Sequence, residues 1–144
     1  MAIFNGTELI LKVSPSDGGA VAKLMHSQNV WLSTNVDTID ITTKDSSGFR
    51  ELLGGTKSFS LSADGLMDFN PATAADTEVD ELTTQMLART AVTFTFTLSS
   101  TAAGDYFYSC SGFVTSLEIS AGTEDAPTYS CSIEGTGALT VTTV

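Results

Sequence analysis

Basic residues are scarce in this chain of 144 residues: six lysines and arginines stand against 17 acids, and the formal net charge is −11. Duplex DNA carries about one negative charge per 1.7 Å, so binding it normally requires a basic patch. The sequence offers none, and it predicts a surface that does not grip DNA. Acidity also simply keeps many proteins soluble, so it does not select a function by itself.

Residues for catalysis are nearly absent as well. A catalytic triad needs a nucleophile and a carboxylate around a histidine, and the one histidine, His26, is accompanied by no G-x-S-x-G motif. Gly54-Gly55 is not followed by the Lys-Ser/Thr of a phosphate loop. We therefore expect no enzyme activity and no cofactor, and we assign His26 to the surface or to an interface.

Metal ligands are not spaced as metal sites require. The acidic run that begins at Asp76 has Glu81 at its sixth position and Leu87 at its twelfth, where a calcium loop needs glycine and glutamate. Capping of a helix explains these acids better. The two cysteines, Cys110 and Cys131, do not have zinc spacing, and in a reducing compartment we expect both to be free thiols.

Long apolar runs are missing too. No stretch approaches the roughly 18 residues needed to cross a bilayer, and the first residues lack the charged and apolar regions of a secretory signal. We expect no membrane binding, and synthesis and assembly in a cytoplasm. The length predicts a single domain over residues 1–144.

Alternation of apolar and polar residues is the dominant pattern. In Val92–Leu98, three threonines alternate with valine, phenylalanines and leucine, which is typical of a half-buried strand. Lys57–Ala63 alternates serines with apolar residues in the same way. Further strands are predicted at Glu8–Val13, Val21–His26, Val30–Ser33, Val36–Thr43, Tyr106–Ser111, Phe113–Ser120, Thr128–Glu134 and Ala138–Val144. Gly112 predicts a bulge or bend.

One segment, 77–89, has helical periodicity. Val79, Leu82 and Met86 lie on one stripe, and Thr77 with Asp80 resembles a capping box. Nine or ten short strands and one helix predict a mainly β protein, a two-layer β-sandwich with one flanking helix and a long inter-strand loop.

That loop, residues 44–56, is the least ordinary segment. Together with charged residues it carries apolar side chains that a soluble monomer has no use for on a loop, and they form a natural docking surface. The residues that we predict to make subunit or ring contacts are Lys44, Asp45, Phe49, Arg50, Glu51, Leu52 and Leu53. The alternative is a loop folded back over its own sheet.

Residues 39–66 resemble the major tail protein, or tail tube protein, family of long-tailed bacteriophages. The similarity lies in Ile39–Glu51, with its Thr-Thr-Lys-Asp-Ser sequence, and continues in Leu53, Gly54, Lys57–Ser62 and Ala63–Leu66. The opening Phe4–Leu9 is also similar to the start of such proteins. Strict resemblance covers about a third of the chain, and the order of elements extends it to most of the rest.

The resemblance implies a structural subunit of the virion tail. Such subunits form hexameric rings that stack into a hollow tube around a tape-measure protein, between tail-tip and tail-terminator proteins, and the tube later conducts DNA. It also implies that part of a sheet lines the bore and that residues 44–56 reach neighbouring subunits. The serine and threonine faces of residues 57–63 and 92–98 are candidates for a neutral bore wall.

Other functions stay open at this point. One is a subunit of a related tube, from a contractile tail or a type VI secretion machine. Another is a carbohydrate-binding β-sandwich module of a virion, in which Tyr106, Tyr108 and Tyr129 would form an exposed strip. A binding module predicts a monomer, whereas a tube subunit predicts rings or filaments.

Overall fold

The computed structural model describes residues 5–14, 22–24, 26–69, 79–99 and 102–144. Within these ranges it contains seven strands and one α-helix, α1 (Val79–Ala88). The strands are β1 (Leu9–Ser14), β2 (Ala22–Lys23), β3 (Ser27–Asp40), β4 (Leu52–Leu66), β5 (Val92–Leu98), β6 (Tyr106–Ser120) and β7 (Thr128–Thr143). Short 3-10 turns lie at Gly6–Glu8 and Lys44–Ser46. The mainly β class with one helix is confirmed.

All seven strands belong to one antiparallel sheet with the order β2-β1-β5-β6-β7-β4-β3. β1 and β3 stand five places apart in this order, which in a flat sheet means roughly 24 Å. They nevertheless contact each other. The sheet therefore folds back over itself and produces two facing layers from one hydrogen-bonded sheet.

The long β6–β7 hairpin passes from one layer to the other at a pair of glycines. Gly112 and Gly135 lie directly opposite each other, and register shifts flank Gly112 on β6. A Cβ on Gly112 would lie 2.6 Å from the Glu134 carbonyl oxygen, and one on Gly135 would collide with the Phe59 ring. Both positions therefore exclude larger side chains, and the bend requires them.

The two layers are best described by their strands. The inner halves of β6 and β7 (106–112 and 135–143) continue the β2-β1-β5 layer, which we call the first layer. The outer halves, 113–120 and 128–134, join β4 and β3 in the second layer. Apolar side chains from both layers and from α1 share one core: Leu11, Val13, Leu24, Phe59, Leu61, Ala63, Val79, Leu82, Val92, Phe94, Cys110, Val114, Tyr129, Cys131 and Ile133.

The number of strands differs from the prediction. The pairs predicted on either side of Gly112, and on either side of residues 135–137, are single strands, and Val30–Ser33 is continuous with the strand that follows. Alternation is broken at bulges such as those at 109/111 and 36/38, so one bulged strand imitates two short ones.

The helix lies within the predicted segment and packs against β6. Its predicted start, with Thr77 and the acids at 76 and 78, lies outside the described residues. Phe4 also lies outside them, as do residues 15–19, whose proline, aspartate and glycines predict a turn. No helix in the described ranges has the length and apolar character to span a membrane.

Candidate functional site

A two-stranded arm leaves the body of the protein where β4 and β7 separate. β4 pairs with β7 only from Ser60 to Leu66, whereas its first half pairs with β3 alone. We call residues 34–59 the arm and residues 41–51 its tip. Every arm residue except Ser46, Gly55 and Phe59 is exposed. The predicted alternative, a loop folded back over its own sheet, is therefore wrong.

The tip has an ordered backbone with its own hydrogen bonds. The Thr43 amide donates to the Ser46 hydroxyl over 3.1 Å and the Phe49 amide donates to the Ser46 carbonyl over 3.0 Å, which leaves Ser46 buried. Ser47 and Gly48 both have positive φ angles, 52° and 82°. Side chain and backbone thus fix one shape for the tip in the isolated chain.

Contacts between the end of β3 and the start of β4 hold the two sides of the tip together. The Glu51 amide donates to the Thr42 hydroxyl over 2.9 Å, and the Arg50 Nε lies 3.4 Å from the Asp40 carboxylate. Thr42, first through its hydroxyl and then through its amide, lowers the pKa of Asp40, and Arg50 adds to this. The carboxylate therefore stays ionised and available to hold the tip together.

Apolar side chains on the arm are exposed to solvent. Phe49 at the tip is 78% exposed, and others of the same kind are Val36, Ile39, Ile41, Leu52 and Leu53. An apolar set of this size on a projecting ribbon is typical of a surface that another protein covers.

The boundaries of the predicted contact loop require a correction. Leu52 and Leu53 do not lie in a loop: they begin β4, opposite Asp40 and Ile39. Cross-strand pairing overrides the two glycines that follow them. Lys44, Asp45, Phe49, Arg50 and Glu51 do lie at the tip, so the structure brings all seven predicted residues onto the last part of one arm.

A cleft of about 300 Å³ opens at the base of the arm, in the fork between the two layers. Val36 and Phe59 line it from the arm, and Leu139 lines it from β7. These apolar side chains lie where the two layers separate, next to the edge of β4 that has no pairing with β7.

The second layer has an open edge on each side. On one side, β5 pairs with β6 only as far as Gly112, so the described part of the chain leaves the outer edge of 113–120 without a strand partner. On the other side, β3 pairs only with β4 among the strands seen. Unpaired N–H and C=O groups on such edges are templates for another strand.

The surface of the second layer that points away from the core is polar, and we call it the polar face. Alternation and register place these side chains on it: Asn29, Trp31, Ser33, Ser60, Ser62, Asp64, Leu66, Phe113, Ser116, Glu118, Ser120, Thr128, Ser130, Ser132 and Glu134. It carries three carboxylates and no lysine or arginine. Asn29 donates to the Asp64 carboxylate over 2.9 Å.

The two strand faces proposed from sequence for one wall lie in different layers. Serines 58, 60 and 62 of β4 extend along the polar face and the base of the arm, whereas Thr93 and Thr95 of β5 belong to the first layer. The two faces therefore do not form one continuous surface, because the sheet folds between them.

Comparison with family models identifies the group of proteins to which this chain is similar. The model described as phage tail tube protein matches residues 3–141, nearly the whole sequence. The chain belongs to the phage tail tube protein family. No curated protein sequence matches it.

Solved structures share the fold of this family member at low sequence identity. A chain from the tail of an empty gene transfer agent particle, refined with C6 symmetry, is 23% identical over 97% of this chain and 99% of that one, with a TM-score of 0.78. The SPP1 tail tube subunit is 14% identical over 99% and 80%, with a TM-score of 0.75. A chain of the anti-feeding prophage baseplate, six-fold symmetrised, is 7% identical over 100% and 97%, with a TM-score of 0.67.

The remaining candidate residues of this tail tube family member do not converge on a chemical site. His26 is exposed, with its Nε2 atom 3.9 Å from the Asp68 carboxylate. The tyrosines form no common strip, since Tyr129 is buried and Tyr108 packs edge-on against Phe96. Cys110 and Cys131 are free buried thiols. No metal-binding cluster occurs within the residues that the structure describes.

Sequence reasoning missed the two edges and the aromatic residues beside them, Trp31 and Phe113. A signal for Trp31 was present, because Val30 and Leu32 on either side pack against the core and leave the tryptophan facing outward. No local signal exists for an open edge, which depends on the order of all strands.

Proposed function

We propose that this chain is a tail tube subunit that closes with copies of itself into hexameric rings, and that the rings stack into a hollow tube. The observation that carries the proposal is the pair of open edges on the second layer. The second layer has four strands in the order β6-β7-β4-β3, and neighbouring strands run in opposite directions. Because four is an even number, its two edge strands, β6 and β3, also run in opposite directions. Rotation about a ring axis therefore places β3 of one copy antiparallel to β6 of the next, with no reversal needed.

Closure of a ring would remove these edges from each copy. An open sheet edge promotes uncontrolled pairing, and a closed barrel has none. The number six follows the C6 and six-fold symmetry of structures with this fold. In this arrangement the second layers join into the wall of the bore.

The polar face would then line the bore. Its serines and threonines are short and neutral, and its carboxylates repel phosphate groups within about a Debye length of 8 Å. DNA would pass such a wall without being held. The bore would enclose a tape-measure protein before ejection, and tail-tip and tail-terminator proteins would bind the two ends. We place assembly in the cytoplasm of a bacterial host.

The arm is the element proposed to contact neighbouring subunits or rings. It projects from the body, its tip is already shaped, and its apolar side chains are exposed. Covering them in the assembly gains roughly 25 cal/mol for each Å² of apolar surface removed from water. The residues proposed for this contact are the tip residues together with Leu52 and Leu53.

Electron microscopy of the purified, concentrated protein tests the proposal. The wild-type chain is expected to form rings or hollow tubes of constant diameter. Leu52→Asp combined with Leu53→Asp is expected to keep the circular dichroism spectrum of the wild type and to lose assembly, because both side chains are exposed in the monomer and charged groups would be buried in the contact.

A matched control places the same two charges elsewhere. Leu87→Asp with Ala91→Asp changes exposed positions outside the arm and the second layer, and its tubes should be normal. Intact tubes from the arm variant would refute the role of the arm. A wild-type chain that remains monomeric at every concentration, also with tape-measure and tail-tip proteins present, would refute the tube.

The second candidate is a tube of a related particle. The likeness to the anti-feeding prophage baseplate chain favours it, although it rests on the fold alone at 7% identity. Co-assembly with sheath proteins of a contractile particle would distinguish it from the tube of a long, flexible tail.

A further inference from the structure

The polar face carries two aromatic side chains, and each lies on one of the two open edges. Trp31, 52% exposed, stands on β3, and Phe113, 41% exposed, stands on β6 immediately after its pairing with β5 ends. Apart from Leu66, which lies opposite Thr128 at the end of β4, every other side chain on this face is serine, threonine, asparagine or a carboxylic acid. Within one copy these two aromatic residues are too far apart to touch, because three strand spacings separate their strands by about 14 Å.

Joining the edges of two copies brings the aromatic residues to one place. Hydrogen-bonded rows cross the layer from Phe113 through Glu134 and Ser60 to Ser33, and from Ser116 through Ser132 and Ser62 to Trp31. Trp31 and Phe113 therefore lie on rows two residues apart and on the same face.

The join can shift only by an even number of residues, since an odd shift would turn core side chains toward the polar face. With no shift, Trp31 of one copy is the diagonal neighbour of Phe113 on the next. With a shift of two residues in one direction, the pair is directly opposite. Direct neighbours have Cβ atoms about 4.5–5.5 Å apart and diagonal ones about 7–8 Å, both within reach of aromatic rings.

We propose that Trp31 of each copy packs against Phe113 of the adjacent copy, forming an aromatic contact across every join of the ring. The inference rests on the proposed ring and adds a pair that narrows its register. A shift of four residues in the favourable direction makes the two side chains diagonal neighbours again, whereas a shift of six, or a shift of two in the opposite direction, separates them and leaves both exposed to water. The pair thus favours the few alignments centred on the direct one, on a face whose serines and threonines would otherwise accept more.

Cysteine cross-linking tests the contact in assembled tubes. If the two residues are directly opposite, the double variant Trp31→Cys with Phe113→Cys should form, on mild oxidation, a ladder of disulfide-linked species that ends at the hexamer. Diagonal neighbours, with Cβ atoms about 7–8 Å apart, are too distant for a disulfide and are tested by the fluorescence of Trp31. A link within one copy is excluded by the strand spacing, because a disulfide requires Cα atoms closer than about 7 Å. The native thiols are 5% and 1% exposed and do not interfere.

The matched control pairs Trp31→Cys with Tyr106→Cys. Tyr106 is exposed on the same strand, β6, but belongs to its first-layer half. This variant should assemble and give no ladder. Equal cross-linking of both variants would overturn the proposal, since it would report random collision.

Fluorescence gives a second readout that keeps the native tryptophan. Trp31 is the one tryptophan of the chain, so its emission should shift to shorter wavelength when tubes form. In Phe113→Ser the shift should shrink and the concentration needed for assembly should rise about two- to tenfold. Tyr106→Ser should match the wild type in both.

The possible failures are distinguishable. Tubes that form without cross-links, and whose Trp31 emission does not respond to Phe113→Ser, would overturn the aromatic contact and leave the tube function standing. Absence of wild-type tubes under all conditions would overturn both.

Discussion

Cys110 and Cys131 make the stability of the fold depend on pH in the alkaline range. Burial raises the pKa of each thiol from its ordinary 9.0 to about 11. In the unfolded chain the thiols ionise near pH 9, so between that pH and about 11 only the unfolded state releases its protons. The stabilisation is complete below pH 9 and is lost as the pH rises toward 11, by on the order of 2–3 kcal/mol for each thiol.

Denaturant unfolding at about pH 7 and about pH 10 measures this loss. The wild type should lose more stability between the two pH values than Cys110→Ala with Cys131→Ala, although the variant starts from a lower stability because of the lost side-chain volume. Burial also raises the pKa of Tyr129, which the variant retains, so some alkaline loss should persist. Equal pH dependence in both proteins would contradict the assignment to the thiols.

At the scale of elements, the bend of the β6–β7 hairpin depends on glycine. An alanine Cβ at Gly135 would occupy the space of the Phe59 ring, which is itself buried in the core. Gly135→Ala is therefore expected to reduce the free energy of unfolding by about 1–3 kcal/mol through overpacking. Thermal or denaturant unfolding checks the value.

Gly54→Ala is the matched control for this change. Gly54 also lies in a long strand, but a Cβ there meets no atom within 4 Å. Its effect should stay within about 0.5 kcal/mol. If Gly135→Ala is as harmless, the ring of Phe59 moves aside at little cost and the bend does not require glycine.

Most strand positions could be predicted from sequence, because polar and apolar residues alternate along a half-buried strand. The threonines at positions 93, 95 and 97 are an example. The continuity of β6 through Gly112 could not be predicted, since the glycine is required by Glu134, a residue that lies far away in sequence. Leu52 and Leu53 were assigned to a loop for a similar reason: their strand exists through pairing with Asp40 and Ile39. Charged and apolar residues at the tip were visible in sequence, but the open edges were not.

At the scale of the whole molecule, the acidic charge is distributed so that the polar face has no cation. Glu118→Lys with Glu134→Lys would reverse the sign of this face, leaving Asp64 as its remaining carboxylate. Tubes of this variant are expected to bind short duplex DNA at low salt and to release it as salt rises, because phosphate contacts displace counterions. Wild-type tubes should bind little at either salt concentration.

Co-sedimentation of DNA with tubes measures this binding. Glu8→Lys with Glu81→Lys makes the same change of net charge at exposed positions off the polar face. Equal binding by the two variants would show that net charge alone decides, and it would remove the argument that the polar face lines the bore.

The arm also has a fixed length. Its seven β3 residues from Thr34 to Asp40 extend about 20 Å at the rise of an antiparallel strand, and the hydrogen-bonded tip lies beyond them. A ribbon of this kind neither stretches nor compresses like a disordered tail. In the proposed assembly, the number of residue pairs in the arm would therefore set the distance from one subunit to the surface that its tip contacts.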